Sequence, residues 1–83
     1  MKTLHLNIVS PESTLFDGQV EAVTLPGTMG RFTILPQHAP IVSSLRVGEV
    51  GYIREGRTEF IRITGGFVEM SNGNVSVCVE QNS

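Results

Sequence analysis

"MSNGNVSVCVE", residues 70 to 80, joins a turn signal directly to a strand signal. Asn72-Gly73 is the pair that a two-residue type I′ hairpin turn favours, because both of its central positions take positive φ. After it, Val75, Val77 and Val79 alternate with Ser76, Cys78 and Glu80, the period of a strand with one buried face. Together they predict a β-hairpin rather than any helical element.

Moving outward, the same period recurs. Leu4, Leu6 and Ile8 share one face of the opening segment, opposite His5 and Asn7. "TEFIRIT", residues 58 to 64, mixes Phe60, Ile61 and Ile63 with Glu59 and Arg62, the pattern of a strand partly covered on both faces. "FDGQ" (16–19), "PGTMG" (26–30) and "REGR" (54–57) read as corners between strands. The nine glycines and four prolines leave residues 1–10 and 74–83 as the longest stretches free of both. A helix needs about 12 to 15 residues to be even marginal by itself, so these breakers leave no room for one. Strand signals every 8 to 12 residues or so predict an all-β antiparallel sandwich or barrel. The 83 residues suffice for one domain, residues 1–83, with no second core.

Composition narrows the function. A net charge of −2 gives no electrostatic pull toward nucleic acid or anionic lipid. One cysteine, Cys78, rules out an internal disulfide. No apolar run approaches the roughly 18 residues of a membrane span, and the opening "MKTLHLNIVS" is too short and polar for a signal peptide. These features predict a soluble, intracellular chain without direct membrane insertion.

The residues that could carry chemistry are few and scattered. His5 and His38 are the only histidines and Asp17 the only aspartate, and Asp17 precedes Gly18, where a turn role is expected. No Gly-x-Ser-x-Gly elbow is present, and Cys78 lies within a strand pattern rather than at an activating helix N-terminus. His5, His38, Cys78 and a glutamate form no metal-ligand spacing. "PGTMGR" lacks the Gly-Lys-Ser/Thr ending of a phosphate loop, and no helix follows it. "REGRTEFIR" (54–62) interleaves Arg54, Arg57 and Arg62 with Glu55 and Glu59, which suits cross-strand ion pairs. A small β-barrel that binds single-stranded nucleic acid is the alternative this stretch keeps open. A small hydrolase using His38 is a third.

In "LPQHAPIV", residues 35 to 42, Pro36 and Pro40 each fix φ and lack an N–H, so the segment cannot lie in the middle of a ladder. Leu35 and Ala39 precede the prolines and are pushed toward extended backbone. The expected result is a semi-rigid extended loop that displays Gln37 and His38 with little entropy left to lose on binding. Ile41, Val42 and Leu45 then form either core or an exposed docking patch.

"HAP" (38–40), "GGFVEM" (65–70), "NVSV" (74–77), "LHLNIVSPE" (4–12), "LFDGQVEAV" (15–23), "PGTMG" and "RVG" (46–48) occur in an order and spacing that resemble one family. It is the epsilon subunit of rotary F-type ATP synthases, specifically the N-terminal β-sandwich domain. The resemblance implies a flattened antiparallel β-sandwich of about ten short strands. It implies a non-catalytic subunit of the proton-transporting enzyme, without cofactor or metal. That subunit sits on the central rotor and bridges the gamma subunit and the c ring, supporting assembly and coupling on the cytoplasmic face of the bacterial inner membrane. By the same likeness Met29, Gly30 and Arg31 would face the c ring, and His38, Val42 and Ser43 the gamma subunit. The Gly65-Gly66 pair reads as a bulge or a close approach of strands.

Three departures accompany the resemblance. Gln37 stands where the family loop has glycine, so either the loop backbone differs or that glycine does not need positive φ. Arg31 stands where an acid is familiar, altering the sign of any pairing with the c ring. The sequence ends at Ser83, where many relatives continue into a two-helix hairpin that carries inhibition of ATP hydrolysis. The expectation is coupling and assembly without hairpin-mediated inhibition.

Overall fold

Leu4, Leu6 and Ile8 are fully buried, and the strand that carries them, β1 (Leu4–Val9), lies between two others in the sheet. The structure, a computed structural model, describes residues 2–82. Among them the strands are β1, β2 (Thr14–Val20), β3 (Ala22–Gly27), β4 (Gly30–Ile34), β5 (Ile41–Leu45), β6 (Gly48–Arg54), β7 (Arg57–Ile63), β8 (Gly65–Ser71) and β9 (Asn74–Glu80), with no helix. The all-β, sandwich reading therefore holds, with nine strands rather than about ten.

Hydrogen bonding runs β2-β1-β9-β8-β5-β3-β6-β7, with β4 added beside β3. The sheet curls on itself into a slab of 36 × 24 × 18 Å, thin enough for two layers about 10 Å apart. The core between them takes Leu4, Leu6, Ile8, Val68, Met70, Val75, Val77 and Val79 with Val23, Leu25, Ile34, Val50 and Ile63. Among the described residues Tyr52 is the one buried side chain with a polar atom, its ring part of the core, so apolar alternation supplies almost all of the interior.

The hairpin read from residues 70 to 80 is present: Asn72 (φ 52°) and Gly73 (φ 76°) turn β8 into β9, and Ser71 pairs with Asn74. "REGR" forms the same kind of corner, with Glu55 at φ 54° and Gly56 at φ 77°.

Three expectations are corrected. The sheet is not purely antiparallel, because β1 and β9 pair in parallel from His5↔Asn74 to Val9↔Cys78. That pairing joins segments far apart in the chain, where no local turn signal exists to announce it. "FDGQ" is not a corner: Asp17 and Gly18 lie inside β2, opposite Asn7 and Leu6. The Phe16 ring covers Gly18, 3.1 Å from where a β-carbon would stand. The proline loop is also not extended. The His38 amide donates to the Leu35 carbonyl (3.1 Å) and Gln37 takes φ 72°, which makes residues 35–38 a type II turn with Pro36 at its first central position.

Candidate partner-binding surface

β3 and β4 form a hairpin whose last ladder pair is Gly27↔Gly30, leaving Thr28 and Met29 as its tip. Gly30 takes φ +133°, the left-handed-side backbone that returns the chain to the ladder after the corner. Met29 is 99% exposed, a bare apolar side chain at the end of a two-stranded arm. Arg31, opposite Pro26, is also exposed, and its Nη1 donates to the Glu49 carbonyl of β6 at 3.1 Å. A guanidinium has five N–H donors, so this tether orients the group without using it up.

β5 alternates. Val42 and Ser44 are exposed, Ser43 is half-buried and Leu45 is buried, so Val42 and Ser43 lie on opposite faces. Val42 is 73% exposed. Ser43 directs its hydroxyl to the Ser44 carbonyl at 3.0 Å. His38 is exposed in the turn before β5, its Nδ1 2.6 Å from the neighbouring Ala39 carbonyl, which makes that nitrogen the N–H donor. The expected gamma-side set thus divides: Val42 and His38 are open to a partner, while Ser43 turns toward the core side.

The two expected contact sets meet at one place. The Thr28 amide donates to the Ser44 carbonyl (3.1 Å), and the two hydroxyl oxygens lie 2.8 Å apart. Thr28 and Ser44 were not singled out in the sequence, because only the β3–β5 pairing brings them together. Phe67 was missed too. It pairs with Ser44 across the β5–β8 ladder and is 51% exposed. The alternation of "GGFVEM" could have found it, since burial of Val68 and Met70 turns Phe67 outward.

The rival chemistries lack geometry. His38 has Ala39 as its hydrogen-bonding neighbour rather than a serine or cysteine. His5 Nε2 does reach Asp17 Oδ1 at 2.7 Å, with Gln19 Nε2 3.2 Å from Nδ1, but the pair lies in the open on the β1–β2 ladder and orients no nucleophile. No group of three or more His, Cys, Asp or Glu that could hold a metal occurs among the described residues. A stacking platform for bases needs neighbouring exposed aromatics. Phe60, 58% exposed on β7, faces Gly51 of β6, and Phe67 lies on β8, which is not adjacent to β7. Arg54 pairs instead with Glu59 across the β6–β7 hairpin at 3.7 Å. No helix is long and apolar enough to cross a membrane among the described residues.

Comparison with known proteins gives the surface a context. Residues 3–82 match the family model described as ATP synthase, Delta/Epsilon chain, beta-sandwich domain. The chain is 42% identical over 79 residues to an ATP synthase epsilon chain of Nitratidesulfovibrio vulgaris (strain DSM 19637 / Miyazaki F), covering 95% of this chain and 59% of that one. It is 36% identical over 80 residues to the ATP synthase epsilon chain of Bacillus subtilis, covering 96% and 61%. It thus spans about three fifths of the length of these curated relatives. Its fold superposes at a TM-score of 0.89 on a chain in the cryo-EM structure of the Euglena gracilis mitochondrial ATP synthase, OSCP/F1/c-ring. That chain is 22% identical, and the match covers 95% of this chain and 51% of that one.

Proposed function

This chain belongs to the ATP synthase delta/epsilon chain family through its β-sandwich domain, and on that premise we propose that it is a non-catalytic part of the rotor. In this reading it bridges the gamma subunit and the c ring of a proton-translocating ATP synthase. It works at the cytoplasmic face of the bacterial inner membrane, held there by its partners. Met29, Gly30 and Arg31 meet the c ring; Val42 and His38 meet the gamma subunit, with Ser43 supporting β5 from its other side.

The observation that carries the proposal is the solvent exposure of Met29 and Val42 on elements that are themselves held stiffly. Apolar side chains bared in this way gain by covering, and a pre-ordered loop or strand loses little entropy when a partner covers it. Pro36 and Pro40 add to that stiffness on the His38 side. Two contacts of ordinary size would each cover about 800 Å², together about a third of the 5052 Å² surface. The arrangement suits transmission of force, not turnover of a substrate.

Reconstitution tests the proposal. Membranes carrying the ion-translocating sector, mixed with catalytic heads that lack their own epsilon chain, should regain head attachment and ATP-driven proton pumping when this chain is added. Heads that remain unattached at micromolar chain would contradict it.

A further inference from the structure

We propose that the Thr28–Ser44 hydroxyl pair locks the β3–β4 hairpin tip onto β5, so that the two contact surfaces assigned above move as one body and their partners bind with positive coupling. The coupling rests on the proposed gamma and c-ring assignments; the lock itself rests only on geometry.

β4 has β3 as its one ladder partner, so the hairpin end is a two-stranded arm, and such ribbons are marginal in water without further support. Lower down, the arm is steadied by the Arg31 tether to the Glu49 carbonyl of β6 and by Phe32 against the core, but at its tip support comes from β5. There the regular pairing amounts to Gly27↔Leu45, flanked by Arg46 N–H to the Pro26 carbonyl (2.9 Å) and Thr28 N–H to the Ser44 carbonyl (3.1 Å). The hydroxyl pair at 2.8 Å is the last bond before Met29. Without it, the base of Met29 would be held to β5 by the single Thr28 N–H to Ser44 carbonyl bond. With it, a long and adaptable side chain is presented from a fixed base.

Position gives the lock its consequence. Ser44 shares the exposed face of β5 with Val42, two residues away, a separation of about 7 Å along a strand. Thr28 is bonded to Ser44 on one side and precedes Met29 on the other. A partner seated on Val42 therefore orders β5 and, through Ser44, the base of the tip. A partner seated on Met29 does the reverse. Linkage makes the two effects equal in free energy.

The test uses Thr28→Val, which keeps the shape and removes the hydroxyl, and Ser44→Ala. Thr28→Ser and Ser44→Thr keep the hydroxyl and serve as rescue variants. In the isolated chain, hydrogen exchange at the Thr28 and Gly30 amides, which are paired to the Ser44 carbonyl and across the Gly27↔Gly30 rung, should quicken about fivefold in the first two variants, the factor expected for one surface hydrogen bond. The double variant should be no worse than either single one, since the same bond is lost once. The rescue variants should exchange like the parent. In titrations, affinity for the gamma subunit alone should stay within about twofold, while the gain in c-ring affinity caused by bound gamma subunit should fall about fivefold. Unchanged exchange in Thr28→Val overturns the lock. Quickened exchange with undiminished coupling overturns the transmission between surfaces. A parent chain that binds neither partner overturns the coupling together with the assignments beneath it, while the exchange measurement still decides the lock.

Discussion

The rings of Phe16 and Tyr52 meet with centroids 4.4 Å apart and planes inclined at 33°. Phe16 comes from β2, at one end of the sheet order, and Tyr52 from β6, next to the other end. The contact therefore marks where the curled sheet closes on itself, and the Arg54 guanidinium caps it 5.6 Å above the Phe16 ring. Removing the ring with Tyr52→Ala should cost about 3 kcal/mol or more, as aromatic truncations in cores do. For a domain of this size that loss corresponds to a drop in Tm of roughly 12 to 24 °C, which thermal melts by circular dichroism check.

The same residue should add a pH dependence to stability on the alkaline side. Burial, with a smaller contribution from the Glu59 carboxylate and a partial offset from Arg54, raises the Tyr52 hydroxyl above its ordinary value of 10.0. The folded state thus holds this proton more tightly than the unfolded one. Its contribution to stability is intact below about pH 10 and is lost as pH rises through the raised value. Thermal melts between pH 8 and 11.5 should show a steeper alkaline decline in the parent than in Tyr52→Phe. Parallel declines would remove Tyr52 from the account.

Gly65 and Gly66 should separate sharply on substitution. At Gly66, φ is +146° and a β-carbon would collide with the Cys78 carbonyl of β9. At Gly65 the nearest atoms to a β-carbon are the Glu80 carboxylate at 3.4 Å and the Leu45 carbonyl at 3.8 Å, ordinary contacts. Gly66→Ala should cost more than about 3 kcal/mol, combining left-handed strain with backbone overlap. Gly65→Ala should cost less than about 1 kcal/mol, within the range of an unremarkable substitution. Urea unfolding of the two variants side by side checks the ranking.

These examples show what the sequence makes legible. Val75, Val77 and Val79, or Leu4, Leu6 and Ile8, announce their buried face because a period of two needs no knowledge of the partner strand. Asn72-Gly73 announces its turn because positive φ is a local demand. Asp17-Gly18 misleads for the same reason: its local preference is a turn, and pairing with Asn7 and Leu6 across β1 overrides it. The parallel β1–β9 ladder and the Thr28–Ser44 contact are nonlocal, so no window of sequence contains them. For the surface, that Ser43 turns away from Val42 followed only once β5 had a defined face.

Gln37 stands in a conformation that glycine adopts without strain. Its φ of 72° falls at the second central position of a type II turn, where a side chain costs roughly 1 kcal/mol. Gln37→Gly should therefore raise stability by up to about 1 kcal/mol, or some 4 to 8 °C in Tm for a domain of this size. Calorimetry checks the sign; a lowered Tm would mean that the Gln37 side chain supports the loop in another way.

His38→Ala should leave Tm within a few degrees, since the side chain is exposed and its hydrogen bond goes to the adjacent Ala39 carbonyl. A collapse in Tm would show a structural role that its exposure does not suggest.

The most direct measurement of the central claim is calorimetric titration of the cognate gamma subunit into the parent chain and into Val42→Asp, a substitution on the exposed face of β5. The account predicts micromolar or tighter binding to the parent, at least tenfold weaker binding to Val42→Asp, and a variant that stays folded with stability within about 1 kcal/mol of the parent's, the cost of an acid placed opposite Glu69 of β8. No binding to the folded parent, or equal binding to both, would contradict it.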